Sequence, residues 1–176
     1  LLETDENVLS FDGTKNKRIN HSEDLEINEG TLSMSFRIND TSSENWIFTK
    51  DEDDCEEDCG HLSVAHESFI DRDGFGVRLQ NYGGGSNDVV LTPENEVQQA
   101  KWYNMSLTFG DEGTKFYLNG DLQDESSKTK GITGNNLPII LGQRYDKHEN
   151  TGLEGGIKNL KLIEKQLNAT EIRENR

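Results

Sequence analysis

Residues 101–121, with the sequence KWYNMSLTFGDEGTKFYLNGD, constrain the fold of this chain more than any other stretch. From Met105 to Phe109 apolar side chains alternate with polar ones, and the alternation resumes at Phe116 after a Gly-rich reversal. A period of two is typical of a half-buried antiparallel strand, and Asn119-Gly120 is a typical two-residue hairpin turn. The stretch therefore predicts a central hairpin of a β-sandwich.

The rest of the chain repeats this pattern in short segments. About twelve short strands follow one another at spacings of roughly ten residues, and almost no segment has a helical period. The tail is the exception, because Asn168 followed by Glu171 predicts a capped helical turn. We therefore expect an all-β fold, an antiparallel two-sheet β-sandwich of the jelly-roll type, in a single domain spanning residues 1–176.

Residues 51–59 interrupt the pattern with seven carboxylates among nine residues. Self-repulsion between these charges predicts a loop rather than a strand or a helix. Cys55 and Cys59 flank part of this loop, and too few soft ligands lie nearby for a zinc site. We favour a Cys55–Cys59 disulfide over free thiols, which implies an oxidising, extracellular location.

The acidic segments are also candidate calcium sites. Ca²⁺ takes several oxygen ligands, usually carboxylates together with carbonyls. Two segments offer them, the acidic loop and the Asp-Arg-Asp-Gly turn at residues 71–74, so the candidate ligands are Asp51, Asp53, Asp54, Asp58, Asp71 and Asp73. The alternatives are a solvated charge run for the loop and an ordinary hairpin turn for residues 71–74.

The net charge of −16 limits the possible partners. A surface this acidic repels nucleic acid and anionic membranes, although it is equally typical of a protein adapted to high salt. No run of about 18 apolar residues is present, so the sequence predicts no membrane insertion.

Four segments in this order resemble the concanavalin A-like lectin/glucanase superfamily, and within it the laminin-G-like and pentraxin-like jelly rolls. They are LSFDG at residues 9–13, GTLSMSF at 30–36, the hairpin at 102–120, and ILG followed by LEGGI at 140–157. Asn104 stands where these families often have His. The resemblance implies the sandwich fold and makes a Ca²⁺ site at a sheet edge or loop tip more probable.

Sugar recognition needs aromatic rings together with planar polar groups. If Phe75, Val77 and Leu79 face inward, the residues between them line the opposite face, and the polar loop at residues 143–148 follows a strand end. The candidate ligand-binding residues are Arg78, Gln80, Tyr82, Arg144 and Tyr145. The alternative is that these side chains are simply solvated.

Catalysis is the least favoured function. Glu52, Asp54 and Glu56 match the Glu-x-Asp-x-Glu pattern of related glucanases, but Asp53 and Cys55 stand where that strand needs apolar anchors. The sequence thus predicts a non-catalytic carbohydrate-binding or adhesion module of a larger extracellular protein, with a glycan or a cell-surface or matrix ligand as partner. A structural or protein-binding module of an adhesin or virion fibre is the alternative.

Overall fold

The computed structural model describes residues 2–3, 8–51, 60–66, 74–81, 89–129, 131–146 and 149–175. Within these ranges the chain forms thirteen strands, a 3₁₀ helix at Glu23–Leu25 and one α-helix, α1, at Ala169–Glu174. The strands are β1 (Leu2–Glu3), β2 (Leu9–Asp12), β3 (Lys17–Ile19), β4 (Gly30–Ile38), β5 (Asn45–Lys50), β6 (Gly60–His66), β7 (Phe75–Asn81), β8 (Val89–Leu91), β9 (Trp102–Phe109), β10 (Thr114–Leu118), β11 (Asp121–Ser126), β12 (Ile139–Leu141) and β13 (Glu154–Ile163).

The strands form two antiparallel sheets. The first has the order β1-β13-β4-β9-β10-β11, and the second has the order β3-β12-β5-β6-β7-β8. In the first sheet β2 pairs with the start of β13 and β1 with its end, so these two short strands share one edge position. The expected antiparallel two-sheet sandwich is confirmed.

Aromatic side chains from both sheets meet in the core. Phe36 on β4 stacks on Phe75 on β7 with ring centroids 4.6 Å apart and an interplanar angle of 3°. Tyr103 and Phe116, both from the first sheet, lie against this pair at 5.8 Å from Phe36 and 5.9 Å from Phe75 respectively. Stacked rings bury large apolar area in a fixed geometry, so this group joins the two sheets.

The central hairpin forms as predicted. β9 and β10 pair antiparallel, and the Gly113 amide donates to the Gly110 carbonyl at 3.0 Å to close the reversal. Asn119 and Gly120 have φ values of 53° and 79°, as a type I′ turn requires. The turn leads into β11, a strand that the sequence analysis did not assign because its mostly exposed or half-exposed residues show no apolar alternation.

Helix α1 begins with the predicted cap. The Asn168 side chain accepts hydrogen bonds from the amides of Thr170 and Glu171, and the Glu171 carboxylate accepts from the Asn168 amide. The helix packs Ile172 against Tyr117 on the outer face of the first sheet. Helix α1 leaves Tyr117 only 4% exposed, although the ring lies on the outer face of the sheet.

Across the ranges that the structure covers, no helix has the length and apolar character needed to span a membrane.

Candidate functional site

The outer face of the second sheet collects polar side chains from three strands, β5, β6 and β7. Leu62, Val64, Val77 and Leu79 point into the core, so the residues between them point outward. Strand register then places Thr49, Ser63, Arg78 and Val90 in one row across the face, from β5 to β8. A second row pairs His61 with Gln80.

The end of β5 is anchored from inside the sandwich. The Lys50 ammonium is buried and donates to the carbonyls of Asn135 at 2.6 Å and Leu137 at 2.8 Å. The Asn135 amide in turn donates to the carbonyls of Lys50 and Gly60, which ties β5 to β6. Burial lowers the pKa of Lys50 to about 8. This anchor places Asp51, the next residue, beside the start of β6.

Asp51 is the centre of a buried polar network. One carboxylate oxygen bonds His61 Nδ1, and the other accepts the Ser63 hydroxyl at 2.8 Å. The Arg78 guanidinium lies 3.7 Å from the second oxygen and also donates to Gln80 Oε1. We call Asp51, His61, Ser63, Arg78 and Gln80 the Asp51 cluster.

The surroundings of Asp51 keep it ionised. Its 6% exposure raises the pKa of the carboxyl, but the hydrogen bond and charge of His61, the Ser63 hydroxyl and the Arg78 charge together hold that pKa below its usual range. Arg78 and Gln80 are the partly exposed members, and the Arg78 side chain is 20% accessible. The cluster therefore presents a guanidinium whose position is set by a buried carboxylate.

A second group lies on the same face around Trp46. The Arg144 guanidinium lies 5.6 Å from the Trp46 ring and 5.2 Å from the Tyr145 ring, and it donates to the Tyr145 hydroxyl at 3.2 Å. Arg144 Nε is also 3.3 Å from the Asp146 carboxylate, and the Trp46 indole donates to Glu44. We call Trp46, Arg144 and Tyr145 the Trp46 cluster. Cation–π contacts of this kind hold an arginine in place.

The loop that carries Arg144 and Tyr145 is pinned to the sheet. Gln143 Oε1 accepts hydrogen bonds from the Thr151 hydroxyl at 2.7 Å and from the Arg144 amide at 2.9 Å. The Gln143 carbonyl accepts the Thr49 hydroxyl from β5. Arg144 and Tyr145 thus lie on a supported loop, which lowers the cost of ordering them around a ligand.

A small apolar patch joins the two clusters. Trp46 packs with Ala65, and the half-buried Val90 packs against both. Since Val90 pairs with Arg78, this patch lies between the Trp46 cluster and the Asp51 cluster. The outer face of the second sheet therefore carries Arg144 beside two aromatic rings, then the apolar patch, and then Arg78 beside the Gln80 amide. We call it the candidate ligand face.

The structure brings four predicted ligand-binding residues, Arg78, Gln80, Arg144 and Tyr145, to this one face. The sequence analysis missed His61, Ser63 and Trp46, although the alternation in HLSVA places the first two on the side opposite Leu62. The other predicted ligand, metal and disulfide residues lie outside the described residues and stay predictions: Tyr82, Asp53, Asp54, Asp58, Asp71, Asp73, Cys55 and Cys59.

Asp51 is the described member of the predicted calcium ligands. Because its two oxygens bond His61 and Ser63, a metal ion there would have to replace one of these bonds. In the part of the chain that the structure describes, no group of three or more His, Cys, Asp or Glu side chains is placed to hold a metal ion.

The Asp51 cluster does not have the geometry of a nucleophilic triad. In a triad the serine donates to the histidine, and the carboxylate bonds the far side of the ring. Here the Ser63 hydroxyl donates to Asp51 itself, and His61 is 0% exposed. The arrangement suits a rigid binding surface.

Comparison with known proteins adds the family. A family model described as the concanavalin A-like lectin/glucanase superfamily, of the laminin G type, matches residues 11–173. No curated protein sequence matches the chain significantly. Several solved structures also resemble the chain. Three of them are each at most 18% identical to it, so they inform on the fold alone.

Three such structures illustrate the likeness. Domain 4 of AbnA, an extracellular GH43 arabinanase from Geobacillus stearothermophilus solved with arabinotriose, is 15% identical with a TM-score of 0.74, over 96% of this chain and 75% of that one. The CBM40 of a Ruminococcus gnavus IT-sialidase bound to α2,3-sialyllactose is 14% identical with a TM-score of 0.71, over 98% and 97%.

The third is the heptameric SAP-like pentraxin of Limulus polyphemus, which is 18% identical with a TM-score of 0.65, over 94% of this chain and 79% of that one. The likeness to the pentraxin and the two modules agrees with the fold expected from the sequence. With the family match covering nearly the whole chain, these comparisons lead to one conclusion: the protein belongs to the concanavalin A-like lectin/glucanase superfamily.

Proposed function

We propose that this protein is a non-catalytic carbohydrate-binding module that takes a glycan on the candidate ligand face. The observation that carries the proposal is the placement of two arginines, Arg78 and Arg144, at the two ends of an apolar patch on one sheet face. Planar guanidinium groups suit the adjacent hydroxyls of a sugar, and an aromatic ring suits its C–H face.

Each cluster has a role in this proposal. Arg144 and Tyr145, both half-buried, offer donors and a ring edge at one end of the glycan. Arg78 and Gln80 offer a guanidinium and an amide at the other end. The buried Asp51 carboxylate neutralises Arg78 and fixes its position, so less side-chain entropy is lost when a sugar binds.

The similar structures support the sugar as ligand. The arabinanase domain was solved with arabinotriose, and the CBM40 was solved with sialyllactose. Both are modules of larger enzymes, which agrees with a non-catalytic role in a multidomain protein. An extracellular location and cell adhesion belong to the same proposal and rest on the resemblance and on the predicted Cys55–Cys59 disulfide.

Calcium is the proposed cofactor, with the acidic segments 51–58 and 71–73 as its sites. The support is their density of carboxylates together with the family resemblance. A cation that binds only the native state raises the melting temperature. We expect millimolar Ca²⁺ to raise it and EDTA to reverse the shift, and an unchanged melting temperature would count against a calcium site.

A glycan array tests the binding function. The wild-type protein is screened with Ca²⁺ and with EDTA, alongside the Arg144→Ala and Arg78→Gln variants and a control, Arg173→Gln, from α1. We expect reproducible hits that both face variants weaken and that the control retains. Release of reducing ends from a bound glycan would contradict the non-catalytic role.

A structural or protein-binding role is the second candidate, and one observation favours it. Much of the candidate ligand face is buried, since His61, Ser63 and Trp46 are each less than 5% exposed. A closed polar network of this kind also serves to hold a sheet together without any ligand. An array without hits, from a protein that is folded and calcium-saturated, would favour this role.

A further inference from the structure

A pair of cations flanks an aromatic ring on the opposite side of the sandwich. On the outer face of the first sheet, Trp102 on β9 pairs with Arg37 on β4. The Arg37 guanidinium lies 5.2 Å and the Lys158 ammonium 4.9 Å from the Trp102 ring. All three side chains are partly exposed. The ring therefore holds two positive charges near each other at the protein surface.

The chain has 34 acidic and 18 basic residues, yet Arg37 and Lys158 form no ion pair among the described residues. They share this with Lys17, Arg18 and Lys101, but Arg37 and Lys158 lie together against one ring. The Arg37 Nε is buried and makes no hydrogen bond within the described ranges. Since an aromatic ring supplies no counter-charge, the pair attracts an external anion.

Beside the cations, the sheet offers a flat polar floor. Register pairs Ser35 with Asn104 and Ser33 with Ser106, and the Ser35 hydroxyl donates to Asn104 Oδ1 at 2.7 Å. Their small side chains do not rise above the sheet. Lys158 pairs with Ser35 from β13 and so borders this floor.

The far end of the floor is closed by the segment before α1. The Thr31 hydroxyl donates to the Lys165 carbonyl at 2.7 Å and accepts from the Leu167 amide at 3.0 Å. A strip of mostly polar side chains thus runs along β4 and β9, from the Trp102 cations to this segment. We call it the back trough.

We propose that the back trough binds an acidic polysaccharide. Carboxylate or sulfate groups of the chain pair with Arg37 and Lys158, while sugar hydroxyls bond the partly exposed Ser33 and Ser106 hydroxyls and the exposed Asn104 amide. Two isolated cations match the spaced charges of such a chain better than the continuous phosphates of nucleic acid. The trough and the candidate ligand face lie on different sheets, so this site does not depend on the proposed function.

Affinity electrophoresis at low salt tests the proposal with three polymers. Polygalacturonate carries carboxylates, dextran sulfate carries sulfates, and dextran is neutral. We expect retardation by at least one anionic polymer, weakened by added NaCl, and none by dextran. Retardation by only one of the two identifies which anion is recognised.

Matched variants locate the binding. The double variant Arg37→Gln/Lys158→Gln is expected to lose affinity on the order of tenfold. Lys15→Gln/Arg173→Gln removes the same number of positive charges elsewhere and is expected to bind like the wild type. The charge-conserving Arg37→Lys variant keeps most of the binding and guards against a folding defect.

Three outcomes would overturn the proposal. The first is that neither anionic polymer retards the wild-type protein. The second is equal loss in the trough variant and in the charge-matched control, which would mean a diffuse electrostatic effect. The third is equal or stronger binding of duplex DNA, which would mean that the trough does not select a polysaccharide.

Discussion

Replacing Asp51 by Asn tests whether the buried carboxylate organises the candidate ligand face. The substitution keeps the size of the side chain but removes its charge and one acceptor. Asp51 is 6% exposed, bonds His61 and Ser63, and lies 3.7 Å from the Arg78 guanidinium. The change therefore leaves buried donors without their acceptor.

The magnitude follows from these contacts. A hydrogen bond to a charged group contributes about 1.5–3 kcal/mol, and breaking a buried charge pair costs about 3–5 kcal/mol. Because Asn still accepts one hydrogen bond and Arg78 is partly solvated, we expect Asp51→Asn to lower the free energy of unfolding by about 2–4 kcal/mol.

The dependence on pH gives a second readout. The folded-state pKa of Asp51 lies below the ordinary value of 3.8, so the unfolded chain binds this proton first as the pH falls. The stabilisation is then fully present above the ordinary value and is lost as the pH falls through the folded pKa. The difference between wild type and Asp51→Asn should be constant near neutral pH and should shrink in acid.

Urea unfolding followed by tryptophan fluorescence measures both effects. The control is Asp111→Asn in the exposed turn after β9, where a change within about 0.5 kcal/mol is expected. A loss below about 0.5 kcal/mol for Asp51→Asn at neutral pH would refute the reasoning. A difference that grows as the pH falls would refute the assigned direction of the pKa.

Two further predictions concern the fold. Phe36→Ala removes the ring that contacts Phe75 and Tyr103, and it should cost about 3–5 kcal/mol of unfolding free energy, measured in urea, with Phe36→Leu losing clearly less. Asn168→Ala removes the cap of α1 and should cost about 1 kcal/mol; a melting temperature equal to that of the wild type would contradict the role of the cap.

The sequence was most informative where local pattern and burial agree. The hairpin from β9 to β10 alternates strictly, and its turn residues demand positive φ, so its structure could be predicted without any partner strand. The cap at Asn168 is equally local. β11 was not predicted, because an edge strand with polar residues on both faces carries no periodic signal.

The candidate ligand face was only partly predictable. Arg78 and Gln80 follow from alternation along β7, and Arg144 and Tyr145 from a polar loop after a strand. His61 and Ser63 stood in an alternating strand but gave no sign of their partner, because Asp51 was read as the start of an acidic loop. Strand pairing across β5, β6 and β7 is what brings these residues together.

By itself, the sequence determined the fold class, the central hairpin, the helix cap and the face on which residues of the regularly alternating strands lie. These properties depend on periods of two and on turn chemistry within a few residues. Only the tertiary structure decided that Asp51 is a buried partner of His61 and Arg78, that α1 covers Tyr117, and that Trp102 joins two cations. Each of these contacts links strands or a helix distant in sequence, and sheet register, which no single segment encodes, sets their positions.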